Sequence, residues 1–450
     1  MSLEDIVTER YLVTAAQHGA RPHKGFERSL NAYATDIGAQ VVVAPINGAY
    51  IDEPLHPSIA NNPDYTVTNS MGFNKNLELI DFPIRAQQII PTTGLGRFIQ
   101  HNKSAVLASP KVALECLATS NIELPKILAT TGALTQPNYK TQTRIGQIAQ
   151  RDHQYGALLI EVDGDLFQYR QIIADTSGTF YDIDRRVDGK TGKISKSNPD
   201  AIVFGDIHTA QINPAVHLTN LEMMRDLKPR AVVLHDIYDG SSISHHNVNQ
   251  LMQRTMKADL RGLNLSDELY QVGALLHEYY NELGSKSEIV VVKSNHDEVL
   301  DRYLEEGRFI NDPENFRLAA NLAIAKLDGE DTLQAGIEGV YGSFGKYVRF
   351  LGRDEDYKVR GIQLGAHGDL GGNGSRGGKR QQQNNYGPSI TAHTHTPHIL
   401  NDAWCVGTST NLKMDYNRGP SSWMNTHALV HPNGKRQLIN VIDSRYRFND

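Results

Sequence analysis

Cysteine is nearly missing from this sequence. Cys116 and Cys405 are the only two, far apart and in no metal-ligand spacing. That excludes a disulfide scaffold and a thiolate metal cage, and a reducing compartment is the simpler reading. Long apolar runs are missing too. Nothing reaches the roughly 18 consecutive apolar residues that a membrane helix needs, so no membrane partner is expected. A basic excess is also absent. The net charge is −6, which gives no global attraction to nucleic acid or anionic lipid, so any polyanion must be held by a local patch. The opening residues, MSLEDIVTERYL, are charged and carry no signal-peptide core. A cytoplasmic protein is the expectation. Internal repeats and low-complexity tracts are not found.

What is present is ordinary for a globular chain. The 450 residues are 39% hydrophobic and 21% charged, enough for two or three domains. One stretch, Arg185–Asp200 (RRVDGKTGKISKSNPD), is almost free of apolar residues and reads as an exposed connection. The expected division is an N-terminal mixed α/β domain over 1–190, a linker over 191–200, and a second domain over 201–450. In the first part, Gln40–Val43 and Leu158–Val162 read as strands. Asp163-Gly164-Asp165, followed by the β-prone run Leu166–Ile172, predicts a hairpin. Ser104–Thr119 and Gln142–Arg151 read as helices. The histidines there, His18, His23, His56, His101 and His153, are scattered and read as structural.

After residue 200 the pattern changes. Short apolar runs at 201–204, 231–234 and 289–292 alternate with helical stretches at 216–227 and 266–283, the second with Ser266 as its cap. Nearly continuous apolar strands between helices indicate an α/β fold with strands buried on both faces. Further strands are expected at 361–364, 389–391 and 404–408, with a hairpin around His431-Pro432-Asn433-Gly434.

Each of the five strands in 201–391 is followed closely by polar ligand-type residues. They are Asp206 and His208, then Asp236 and Asp239, then Asn295, His296 and Asp297, then His367, then His393 and His395. Sites in α/β sheets form where loops leave the carboxyl ends of strands, so five strand ends can converge on one point. Oxygen and imidazole donors without thiolate suit Mn²⁺, Fe²⁺ or Zn²⁺. Alternation along an extended Asp206-Ile207-His208 would put both polar side chains on one side and Ile207 in the core. The same alternation is expected of His393-Thr394-His395. Any one of these residues alone is more often a structural histidine, turn or cap; their joint occurrence argues for a metal site.

These blocks, GDIH at 205–208, HDIYD at 235–239, SNHD at 294–297, GAHGD at 365–369 and AHTH at 392–395, resemble in order the motif series of the calcineurin-like metallophosphoesterase family. The resemblance covers roughly 200–450. It implies a β-sandwich flanked by helices and two divalent metal ions. Asp206, His208, Asp236 and His395 would hold one metal; Asp236, Asn295, His367 and His393 would hold the other, with Asp236 bridging. It gives His296 a phosphate-contact and leaving-group role, with Asp239 and Asp297 as supporting carboxylates. His235, Ser294 and Ala392 stand where the family usually has glycine.

Between the last two blocks lies the Gly-rich segment 368–388, GDLGGNGSRGGKRQQQNNYGP. It reads as a loop at the site's mouth, with Arg376, Lys379 and Arg380 as its nucleic-acid-binding cations. His245, His246 and Asn247 are candidates for the entrance. The segments 297–307 and 407–427 resemble phage-encoded members of the family, the early DNases of T5-like phages. That implies a DNA substrate, manganese as the metal and a host-cytoplasmic location, with a homo-oligomer left open. The alternatives are a phosphatase for small or protein phosphomonoesters and a non-catalytic binding scaffold.

Overall fold

Ala201–Val203, Ala231–His235 and Glu288–Val292 are short, mostly β-branched and apolar, and they pair in parallel. In this computed structural model, which describes residues 8–49, 53–82, 84–85, 87–99, 103–120, 126–244, 264–414 and 417–448, they centre a six-stranded sheet. Val348–Phe350 flanks one side; the antiparallel hairpin Thr426–Val430 and Arg436–Asn440 completes the other. Residues alternate between the faces. Ile202, Val232, Leu234, Ile289 and Val291 pack with the helices, while Val203, Val233, Val290 and Val292 join a core shared with Leu364, Ile390 and Val406. The result is a β-sandwich with helices on its outer face.

The helices start where side chains satisfy their free N–H groups. Asn213 accepts from the amides of Ala215 and Val216 at the head of Pro214–Leu227. Leu265–Leu283 is capped by Asn264, which accepts from Asp267 N, and not by Ser266, which lies inside the helix. Among the described residues no helix is long and apolar enough to cross a membrane.

The second layer of the sandwich is a ten-stranded sheet, and it is built from both parts of the chain. Ala113–Leu117 pairs antiparallel with His398–Leu400, joining strands between 71 and 130 to strands between 358 and 405. The helix expected at 104–119 is therefore two strands, Ser104–Leu107 and Ala113–Leu117. Pro110 between them is incompatible with a helix interior. The 1–190 segment also has a five-stranded sheet of its own, in which Leu158 to Val162 and Phe167 to Gln171 form the expected hairpin. Gln40–Ile46 is a strand of this sheet, and Arg144–Arg151 is a helix.

Residues 185–200 are not an open connection. Arg185–Val187 and Ile194–Lys196 form a hairpin in a three-stranded sheet with Phe180–Asp182. Asp188 Oδ1 closes its turn by accepting from the amides of Lys190 (3.0 Å) and Thr191 (2.9 Å), a local use of Asp that composition alone does not reveal. A buried polar network then ties the parts together. Arg170 pairs with Glu161 (2.5 Å) and Asp182 (2.8 Å), and Gln437 donates to Asp182 (2.9 Å).

Candidate metal centre

The parallel strands of the central sheet all point the same way, so the residues that follow them meet at one edge. Asp206 and His208 come after Ala201–Val203, Asp236 after Ala231–His235, and Asn295 after Glu288–Val292. From the second sheet, Ile362–Gln363 and Ser389–Thr391 are themselves parallel and lead to His367, His393 and His395. Two ligand-type groups result: Asp206, His208, Asp236 and His395, all buried, and Asp236, His367 and His393. Asp236 belongs to both. Asn295 joins the second, its Oδ1 lying 3.1 Å from His367 Nε2. Among the described residues, the two groups draw only on the chain between 206 and 395.

Within the first group, His208 Nε2 lies 3.2 Å from His395 Nε2 and 3.5 Å from Asp236 Oδ2, and His395 Nε2 lies 3.1 Å from Asp206 Oδ2. Within the second, His367 Nε2 lies 3.3 Å from Asp236 Oδ2. Imidazole and carboxylate groups brought this close must share protons or a cation, because their lone pairs alone would repel. Asp236 Oδ1 is buried with no hydrogen-bond partner, an expensive state for a carboxylate oxygen. Burial opposes charge on the His208 ring, yet its hydrogen bond to Asp239 and the nearby Asp236 raise its pKa to about 9. Burial likewise opposes His367, and Asp236 raises it to about 9. Burial also works against the Asp236 carboxylate, but the surrounding histidines hold it well below the usual range. The pocket thus stabilises positive charge, and its donor set fits divalent metal.

The way the side chains converge differs from the expected alternation. His208 (φ 46°), Asp236 (φ 46°), His393 (φ 74°) and His395 (φ 54°) are all left-handed. Such conformations are unfavourable for residues with a Cβ and concentrate at functional sites. Asp206-Ile207-His208 is therefore not an extended run, although Ile207 is fully buried. His393 and His395 fall in different groups, which meet at Asp236.

Asp239 Oδ1 lies 3.2 Å from His208 Nδ1, so the ring donates there and presents Nε2 to the centre. The half-buried His296 packs edge-on against His208, with ring centroids 4.7 Å apart, and its Nδ1 lies 3.4 Å from the Asp239 carbonyl. Burial lowers the His296 pKa. Burial raises that of Asp297 to about 7. Asp297 accepts from the Ser294 amide (2.9 Å) while Ser294 Oγ accepts from the Asp297 amide (3.2 Å). Serine in place of glycine thus closes the turn that carries Asn295 and His296. His235 is fully buried and lies 5.6 Å, centroid to centroid, from His367.

Several residues at the site escaped the sequence reading. Trp423 meets His395 edge-on at 4.2 Å. Thr408 Oγ1 donates to the Asp206 carbonyl (3.0 Å), and Asp206 N donates to the Gly407 carbonyl (3.1 Å). A Cβ at Gly205 would lie 2.6 Å from the Gly407 carbonyl carbon, so the close approach requires glycine. His427 Nδ1 accepts from the Gly205 amide (3.0 Å). None of these contacts is local in sequence, and no spacing signals them.

The 368–388 segment is only partly a loop. Lys379–Tyr386 is a helix, because Gln382 anchors it by donating to the Gly368 carbonyl (3.0 Å). Arg376, Lys379 and Arg380 are exposed. Arg380 faces a cavity of about 580 Å³ shared with Gln88, Ile90 and Asn401. His245, His246 and Asn247 lie outside the described residues.

The chain is similar to Protein A1 of Escherichia phage T5. The two are 27% identical over an alignment of 471 residues that takes in 97% of this chain and 83% of the relative. The similarity therefore spans both sides of residues 185–200. No family model matches the chain. Among solved structures, Chaetomium thermophilum Vps29 with a bound cyclic peptide is 10% identical, covers 39% of this chain and 92% of that one, and has a TM-score of 0.25. Vps29 alone is also 10% identical, with 42% and 95% covered and a TM-score of 0.23.

Proposed function

We propose that this protein is a metal-dependent phosphodiesterase that hydrolyses DNA. The observation that carries the reading is Asp236, a buried carboxylate shared by two ligand groups. Asp206, His208, Asp236 and His395 would hold one divalent ion; Asp236, Asn295, His367 and His393 would hold the other. Two such ions, with Mn²⁺ preferred here over Fe²⁺ or Zn²⁺, would activate water and screen the phosphate charge. His296, half-buried at the rim and beside His208, would contact the phosphate and protonate the leaving oxygen. Asp239 would fix the His208 tautomer, and Asp297 the turn bearing His296. Arg376, Lys379 and Arg380, which pair with no carboxylate within 4.0 Å among the described residues, would bind phosphates flanking the scissile one. The N-terminal residues 1–190 would shape access without supplying a ligand.

Incubation with Mn²⁺ and either plasmid DNA or a chromogenic phosphomonoester tests the reading. DNA cleavage without phosphomonoester hydrolysis is expected. The reverse pattern would make the protein a phosphatase, and inertness toward both would leave a binding scaffold.

A further inference from the structure

A second polar cavity lies at the opposite end of the strands. Ala201 pairs with Val430 and Val430 with Arg436, whereas the far end of Ala201–Val203 leads to Asp206. Likewise Ser389 and Ala403 pair at the starts of strands, and the Ser389 strand continues toward His393. Arg436 closes this end, donating to the carbonyls of Ser389 (3.0 Å) and Asp402 (2.5 Å) while lying 4.8 Å from the centre of the Trp404 ring. The cavity there is about 250 Å³, and its lining carries four cations, Lys111, Arg151, Lys435 and Arg436, against two carboxylates, Asp152 and Asp402.

Among the described residues, the direct ion pairs of these two carboxylates are to the arginines. Asp152 pairs with Arg151 (2.7 Å) and Asp402 with Arg436 (3.4 Å). Lys111 is 1% exposed and donates to the Gln88 carbonyl (2.7 Å); Lys435 Nζ reaches only a neutral acceptor, Gln154 Oε1 (3.3 Å). Neither ammonium has a carboxylate within 4.0 Å among the described residues. Burying a cation without a counter-charge is costly. Burial lowers the pKa of Lys111, Lys435 and Arg436 alike, against the upward pull of Asp152 on the first, of Asp175 and Asp402 on the second and of Asp402 on the third.

We propose that this cavity binds a small phosphate-bearing anion, at a site separate from the metal centre. A dianionic phosphate matches the excess of two positive charges, and a guanidinium fork suits its oxygens. Lys111 and Arg151 come from the N-terminal part of the chain, Lys435 and Arg436 from the C-terminal hairpin. A bound anion therefore bridges the two parts.

Isothermal titration of the full-length protein with sodium phosphate, against sodium chloride at equal ionic strength, tests the site. One phosphate per chain is expected that persists in Asp236→Ala and weakens at least tenfold in Lys435→Gln and Lys111→Met. Lys435→Gln is the decisive variant if Lys111→Met does not fold. A parallel titration with 2′-deoxyadenosine 5′-monophosphate distinguishes a nucleotide, bound more tightly than phosphate, from free phosphate, bound equally well or better. Absence of binding overturns the proposal. So does binding that survives in Lys435→Gln and disappears in Asp236→Ala, since phosphate would then occupy only the metal centre.

Discussion

His208 is held by Asp239: Nδ1 of the ring lies 3.2 Å from the carboxylate Oδ1, and Nε2 is thereby left facing Asp236 and His395. Asp239 also accepts from the Ala210 amide (2.9 Å), so the loop after the first site strand is pinned at the same point. Such outer partners orient a ligand and raise its basicity; their loss costs roughly 10–100-fold in metal affinity. Asp239→Ala should weaken metal binding by about that factor in a competitive chelator titration. Unchanged affinity would show that His208 needs no support or is no ligand.

Asp236 should bridge two ions about 3.5–4 Å apart. Asp236→Ala is expected to lose both, because each group loses its shared carboxylate. Metal analysis of the purified variant checks this. Full retention of one ion would mean that the two sites are independent.

His296→Ala should lower turnover by roughly 10²–10⁴-fold, the usual worth of a positioned general acid, with metal content near that of the wild type. Kinetics and metal analysis on one preparation separate the cases. Activity near wild type removes the assigned role, and lost metal makes His296 a ligand instead.

Changing Arg376, Lys379 and Arg380 together to Ala should impair DNA cleavage and spare a small aryl phosphodiester. Each lost phosphate contact should flatten the log–log salt dependence by about 0.7–0.9. An unchanged salt slope would rule out a role for this segment in gripping the backbone.

Away from the centre, His153 predicts an acid limit to stability. Its Nε2 lies 2.9 Å from the Thr135 carbonyl and its Nδ1 2.9 Å from Tyr139 Oη, so the ring is neutral, donating to the first and accepting from the second. Burial lowers its pKa from 6.5 to about 4. The unfolded chain then binds more protons, so stability is full above pH 6.5, falls through the window down to about pH 4, and levels below it. The loss is about 3 kcal/mol at most. His153→Gln should flatten the melting temperature over that window relative to wild type; an identical profile would place the acid sensitivity elsewhere.

The sequence alone pointed to strands at 201–204, 231–234 and 289–292, which the structure places at Ala201–Val203, Ala231–His235 and Glu288–Val292, because buried parallel strands are written as continuous apolar runs. It also determined which residue types follow each strand end, and so brought Asp206, His208, Asp236, Asn295, His367, His393 and His395 into one candidate list. Tertiary structure decided what local pattern cannot encode. The segment 104–119 became strands because His398–Leu400, almost three hundred residues away in sequence, offers Ala113–Leu117 a partner. The polar stretch at 185–200 became a hairpin because Asp188 closes its turn and Val187 finds a core. Four ligand-type residues adopt left-handed backbone that their neighbours hold in place, and no period of alternation predicts it. The close approach of Gly205 to Gly407, the edge of Trp423 against His395, and the gathering of Lys111, Lys435 and Arg436 behind the sheet all depend on contacts between distant segments. Spacing reports what lies along one element; only packing between elements fixes distances and charge balance across them.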